Sequence, residues 1–154
     1  MTIPTGTFTI ERRIACTPDR LWHLLIDPEA RSAWGSPSDD AVLVLDRHDT
    51  REGGQDRHFC GPKEAPEFLV DTHWYHLSLH ELACFTETLE IGGHRITVSL
   101  VTYALAPADG ATDLTVNVAV SSLGDEDGTE DHKAGWTSAL DRLVRQVNDM
   151  PADA

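Results

Sequence analysis

The sequence predicts an α+β protein in which a curved antiparallel sheet packs against one long C-terminal helix. Residues 41–123 form short runs of alternating apolar and polar side chains, separated by turn formers, which is typical of consecutive antiparallel strands. Residues 129–149 carry apolar side chains at helical spacing, and two short helical segments follow the first strand. A sheet with one apolar face needs a cover, and only the last helix is long enough to provide it.

The first elements are a strand and two short helices. Apolar side chains occupy alternate positions within residues 7–15, which predicts a half-buried strand. A helix follows from Thr17, a suitable cap with a proline directly after it, and ends at the Asp-Pro pair at 27–28. A second short helix runs from Glu29 to about Trp34 and ends at a glycine. These two helices are expected to close one end of the gap between the curved sheet and the last helix.

Six strand-like segments and the long helix complete the chain. The strands read AVLVLD, DRHF, FLVDTHWYHL, LACFTETLEI, RITVSLVTYAL and DLTVNVAV, and most of their separators contain glycine or proline. The helix over about 129–149 has Thr129 as its predicted cap. Its apolar stripe includes Trp136, Leu140 and Leu143, which should face the sheet.

Length and charge narrow the function classes. A chain of 154 residues predicts a single domain over 1–154, and its formal charge of −14 repels polyanions, so nucleic acid is not expected as a partner. Cys16, Cys60 and Cys84 are odd in number and lack a CxxC pattern, which predicts free thiols in a reducing cytosol. The N terminus has no signal-like pattern and no run of eighteen apolar residues occurs, so we expect a soluble, cytoplasmic protein without membrane insertion.

Four stretches carry a family resemblance. They are FTIERRIACTPDRLWHLLIDPEARSAWGSP, REGGQDRHFCGPKEAPEF, ITVSLVTYALAPADGATDLTV and AGWTSALDRLV. In this order they resemble the START-like superfamily, and more narrowly the single-domain bacterial members of its branch named after the activator of the ninety-kilodalton heat-shock protein ATPase. The resemblance implies a helix-grip fold with an internal cavity. The superfamily includes lipid and polyketide binders as well as cyclases, so the resemblance specifies fold rather than function.

Departures from the family pattern make the predicted interior more apolar. Relatives often carry a glutamate where this chain has Val118, and a proline and an arginine where it has Leu79 and Leu82. Trp34 matches the tryptophan of the family's Trp-Gly-x-Pro pattern, and two interpretations of it stay open. It either packs in the core where helices meet the sheet, or it lines a pocket.

Two charged residues share the register of apolar neighbours. Arg12 is in register with Ile10, and Glu87 is in register with Phe85, so both side chains should point inward. Burying one charge alone is costly, so we expect the two to pair with each other unless one emerges at a strand end. Such a pair either holds the sheet together or orients the polar head of a ligand.

Neither a metal nor a cofactor is expected from the histidine pattern. His73, His76 and His80 are close in sequence, but an odd separation places the first two on opposite faces of a strand. His58 and Cys60 share one face, yet two ligands do not make a zinc site.

No catalytic residue is assigned, because the chain has no GxSxG elbow, P-loop or GxGxxG motif. An enzyme of cyclase or hydrolase type would have only His58, Tyr103 and Glu87 to move protons.

The preferred hypothesis is therefore a protein that binds a small, largely hydrophobic molecule in an internal cavity. The alternatives are a cyclase- or hydrolase-type enzyme that uses the same cavity, and a chaperone-linked protein, by analogy with the name of the branch. The sequence leaves the ligand undefined and leaves open whether the chain forms a homodimer. The predicted ligand-binding residues are Arg12, Trp34, Phe59, Trp74, Phe85, Glu87, Leu100, Val118, Trp136 and Leu140.

Overall fold

A computed structural model describes residues 2–151, which form one seven-stranded antiparallel sheet and three helices. In chain order the elements are β1 (Thr5–Ile14), α1 (Pro18–Ile26), α2 (Pro28–Trp34), β2 (Ala41–Arg47), β3 (Gln55–Pro62), β4 (Phe68–Ser78), β5 (Leu82–Ile91), β6 (His94–Ala108), β7 (Ala111–Ser122) and α3 (Thr129–Asn148). The strand order is β1-β7-β6-β5-β4-β3-β2. The predicted α+β helix-grip arrangement is confirmed, with two short helices after the first strand and a long helix at the C-terminal end.

One aspartate joins the two short helices. Asp27 is both the C-cap of α1 and the N-cap of α2. Its side chain accepts a hydrogen bond of 2.9 Å from the backbone N–H of Ala30. Pro28 follows at the first position of α2, where its missing N–H costs nothing. The helix buries Arg31 and Trp34 on one side, so an arginine is carried into the interior next to the sheet.

The core lies between α3 and the inner face of the sheet. The predicted stripe of α3 is buried there, with Leu140 and Leu143 fully enclosed and Trp136 nearly so. The helix begins one residue earlier than a cap at Thr129 would place it, because Gly128 is the cap and Thr129 is the first helical residue. The Thr129 hydroxyl instead donates a hydrogen bond of 2.7 Å to the side chain of Asp127.

Two predicted interior leucines lie at the surface. In β6 the side chains of Val101 and Tyr103 point inward. Leu100 lies one position before Val101, so its side chain points to the outer face of the sheet and is 48% exposed. Leu79 lies between β4 and β5 and is 67% exposed, so it does not make the interior more apolar. Val118, by contrast, does face inward and is buried.

The predicted pair between Arg12 and Glu87 does not form. Arg12 bonds to Asp141 of α3, with 3.1 Å between its Nη2 and the carboxylate oxygen. Two strands, β7 and β6, lie between β1, which carries Arg12, and β5, which carries Glu87. The backbones of β1 and β5 are therefore about 14 Å apart across the sheet. The inward face of Arg12 was correct, but α3 packs over β1 and supplies the nearer carboxylate.

Candidate ligand-binding cavity

A cavity of about 280 Å³ lies between α3, the end of α2 and the inner face of strands β2 to β5. Arg31, Glu87, Asp131 and His132 are its charged or polar side chains. The larger part of its wall is apolar, with side chains from α3 and from each of the four strands: Leu43, Cys60, Phe68, Val70, Leu89 and Trp136. The arrangement is a mostly apolar container with one polar corner.

Small residues on facing walls leave this space open. Gly135 and Ala139 are four residues apart on α3, so they lie on the same face of the helix and both line the cavity. On the sheet side, Gly61 has φ of +140°, a conformation that favours glycine, and contributes no side chain. The chain thereby keeps bulk out of the region between α3 and β3.

A buried ion pair forms the polar corner. Arg31 Nη2 lies 3.1 Å from Glu87 Oε2, and the two side chains are only 9% and 14% exposed. The guanidinium carbon of Arg31 also lies 5.3 Å from the ring centroids of both Trp34 and Trp136, so two indole faces flank the cation. Burial acts to lower the pKa of Arg31, but the charge of Glu87 and the hydrogen bond to it act in the opposite direction, and the pKa is raised. The arginine therefore stays charged in the interior.

Three titratable groups near this pair are held neutral. Burial raises the pKa of the Tyr103 hydroxyl and raises the pKa of the Cys60 thiol to about 11. Burial, assisted by repulsion from Arg31, lowers the pKa of His58. His58 Nε2 also lies 3.2 Å from the carbonyl oxygen of Pro28, which fits an N–H donated to that oxygen. At neutral pH the site therefore holds a phenol, a thiol and an uncharged imidazole.

The protonated state of Cys60 gives a testable prediction. With a pKa of about 11, roughly one thiol in a thousand is ionised at pH 8, and only the thiolate reacts quickly. We expect Cys60 to resist iodoacetamide at pH 8 in the folded protein, although all three cysteines should react in denaturant. Peptide mass mapping after timed alkylation measures this. Rapid labelling of native Cys60 would contradict the assigned environment.

Trp34 packs in the core. Its side chain is fully buried, and its indole N–H donates a hydrogen bond of 2.8 Å to the backbone oxygen of Leu24. Of the two interpretations of this residue, the structure supports core packing. The Trp34 ring still affects the cavity indirectly, because it packs against one face of the guanidinium of Arg31, a lining residue.

The ten predicted ligand-binding residues fall into three groups. Glu87 and Trp136 line the cavity. Five others are buried in the core around it: Trp34, Trp74, Phe85, Val118 and Leu140. The last three lie elsewhere, because Arg12 pairs with Asp141 while Phe59 and Leu100 have the outward parity of their strands.

The sequence matches the family described as "Activator of Hsp90 ATPase homolog 1-like protein" over residues 15–148. The chain belongs to this family. Crystal structures of similar shape include the Mll3558 protein from Rhizobium loti, with 25% identity and a TM-score of 0.81 over 95% of this chain and 99% of that one. An AHSA1 protein from Silicibacter pomeroyi has 22% identity and a TM-score of 0.75 over 93% of this chain and 98% of that one.

A protein from the dynemicin biosynthetic locus is similar to this AHSA1-like chain at 20% identity, with a TM-score of 0.68. The match covers 95% of this chain and 48% of that one. No curated protein matches the chain. At these identities the similarity to the Silicibacter and dynemicin-locus proteins shows the fold alone.

Arg31 is the main site residue that the sequence analysis missed. It lies three residues before Trp34, so both side chains lie on one face of a short helix. The sequence could have indicated Arg31, because a charged residue on the predicted buried face of a helix needs a partner as much as one on a strand does. Leu43, Phe68 and Leu89 were also missed, since only the packing of β2, β4 and β5 brings them to one wall.

Over residues 2–151 of this AHSA1-like chain, no three His, Cys, Asp or Glu side chains come together in a way that could hold a metal ion. Over the same range, no helix has the length and apolar character needed to cross a membrane. His73, one of the histidines considered above, lies beside the side chain of Gln55 on the sheet.

Proposed function

We propose that this AHSA1-like protein binds one small, largely hydrophobic molecule in the cavity between α3 and the sheet. The observation that carries the proposal is the composition of the wall, which is mostly apolar and has one buried ion pair at a fixed place. Ligand sites commonly combine an apolar lining with a few polar groups that fix orientation. The fold family commonly binds hydrophobic ligands, which supports the same proposal.

The cavity volume limits the size of the molecule. A dry, apolar protein cavity of about 150 Å³ accepts benzene. A cavity of about 280 Å³ therefore suits a compact molecule of two fused rings rather than a long-chain lipid. Removing such a molecule from water supplies the driving force, at about 25 cal/mol for each Å² of apolar surface buried.

The proposal is for binding without turnover. Of the three candidate proton carriers, His58 and Tyr103 are buried beside the cavity without lining it. The third, Glu87, lines the cavity but is paired with Arg31. Cys60 and Cys84 are free thiols, which supports a reducing cytosol as the place where the protein acts.

Titration with 2-ethylnaphthalene tests the proposal, because this probe has two fused rings and no polar group. We expect saturable binding of one molecule per chain by equilibrium dialysis, accompanied by a change in tryptophan emission since Trp136 lines the cavity. Uptake that never saturates, or several molecules bound per chain, would instead indicate adsorption to the surface and contradict the proposal.

A further inference from the structure

One oxygen of the Glu87 carboxylate is left for a ligand. Oε2 accepts a hydrogen bond of 3.1 Å from Arg31 Nη2, while within residues 2–151 no protein group donates a hydrogen bond to Oε1. Over the same range, the fully buried side-chain atoms that lack a partner belong to Arg31, Ser99 and Tyr103, so Oε1 is not fully buried. Because Glu87 points inward from β5 and lines the cavity, this oxygen is accessible from the cavity.

A purely apolar ligand would leave this oxygen without a partner. A carboxylate oxygen that loses contact with water needs a hydrogen-bond donor in exchange. The other polar side chains of the wall do not supply one, because Asp131 is itself an acid and His132 Nε2 lies 3.3 Å from the hydroxyl oxygen of Thr97. The donor therefore has to come from the ligand.

The charges beside Oε1 favour a neutral donor. Arg31 lies against Glu87, so an ammonium group at Oε1 would meet a second cation in a poorly solvated place, where repulsion between like charges is strong. A ligand carboxylate would meet Glu87 in the same way, and Asp131 adds a further negative charge to the wall. A hydroxyl group is uncharged and donates one hydrogen bond, so it meets neither repulsion.

We propose that Glu87 Oε1 accepts a hydrogen bond from the hydroxyl group of a neutral phenol with the size of two fused rings. This inference rests on the proposed function and names the class of ligand that the cavity takes. Leu89 lies two residues after Glu87 on the same face of β5, roughly 7 Å along the strand. Rings that are held by their hydroxyl at Glu87 therefore extend along the apolar wall to Leu89, while Trp136 lines the cavity from the helix side.

Two probes of nearly equal size measure what the hydroxyl contributes: 2-naphthol and 2-methylnaphthalene. The measured quantity is the ratio of their Kd values at pH 7 by equilibrium dialysis, compared between the wild type and the double variant Arg31→Met/Glu87→Leu. The comparison between proteins cancels the different hydration of the two probes. We expect the ratio to shift toward the hydrocarbon by about tenfold or more in the double variant, because a hydrogen bond to a charged acceptor is lost.

The matched control is the double variant Arg13→Met/Asp113→Leu, which removes an exposed ion pair of the same chemistry. It should keep the wild-type ratio.

A crystal structure of the wild type with 6-bromo-2-naphthol tests the inference without any variant, in case the double variant does not fold. We expect the naphthol oxygen at roughly 2.5–2.7 Å from Glu87 Oε1, the usual length for a hydroxyl that donates to a carboxylate. The bromine, located by anomalous scattering, should lie on the side of Leu89. The reverse orientation, with bromine beside Glu87, would overturn the inference.

The binding results separate this inference from the proposed function. An unchanged ratio in the folded double variant, or binding of the hydrocarbon alone to the wild type, would overturn the inference and leave the proposed function standing. Tightest binding of protonated 2-(aminomethyl)naphthalene to the wild type would overturn it as well, since the site would then select a cation. If neither 2-naphthol nor 2-methylnaphthalene binds the wild type, the proposed function itself fails.

Discussion

Replacing Glu87 with leucine is expected to lower the free energy of unfolding by about 3–5 kcal/mol, because the change leaves the Arg31 guanidinium buried without its partner. Arg31→Met should also be strongly destabilising, since it strands the Glu87 carboxylate. The double variant should cost much less than the sum of the two, because an ion pair that is removed as a unit leaves no uncompensated charge. Urea denaturation of the four proteins measures these differences.

A matched control uses an ion pair at the surface. Arg13 and Asp113 lie 2.8 Å apart, but their side chains are 66% and 48% exposed, so solvent screens the interaction. The same four-protein cycle at this pair should show little destabilisation and little coupling. A coupling free energy at Arg31 and Glu87 as small as that at the control pair would mean that the two residues do not act as a unit. The description of the polar corner would then be wrong.

Replacing Ala139 with phenylalanine is expected to weaken binding of 2-ethylnaphthalene by about a hundredfold or more, because the new ring occupies the space that the ligand needs. Ala139 is buried on the inner face of α3 and lines the cavity, so a larger side chain has room only inside it. Equilibrium dialysis against the same probe measures the loss.

Ala134→Phe is the matched control, because Ala134 lies on the exposed side of the same helix and does not line the cavity. It should bind the probe as the wild type does. Thermal unfolding of both variants separates loss of binding from loss of structure, and a filled cavity can even raise stability. Equal binding by the two variants would place the probe elsewhere on the protein.

The elements that could be predicted were those with a clear period. Alternation in β5 correctly gave Glu87 and Phe85 inward faces, and the helical stripe of α3 correctly buried Trp136 and Leu140. Leu100 was predicted to bind the ligand, although its neighbours Val101 and Tyr103 hold the inward positions of β6.

The partner of Glu87 could not be predicted from strand register. Register places residues on a face, but it does not say which helix lies above them. Here α2 turns at Asp27 and carries Arg31 over β5, 56 residues away in sequence, while Arg12 meets α3 instead. The cavity was equally beyond the sequence patterns, because it depends on small residues at Gly61, Gly135 and Ala139, and the absence of a large side chain has no periodicity.

The most direct test of the account is a crystal structure of the protein grown with 2-bromonaphthalene, in which anomalous scattering locates the bromine. The account predicts one strong bromine peak inside the cavity, between Trp136 of α3 and Leu89 of β5. A bromine peak on the outer face of the sheet near the exposed side chains of Tyr75 and Leu100, with the cavity empty, would contradict it.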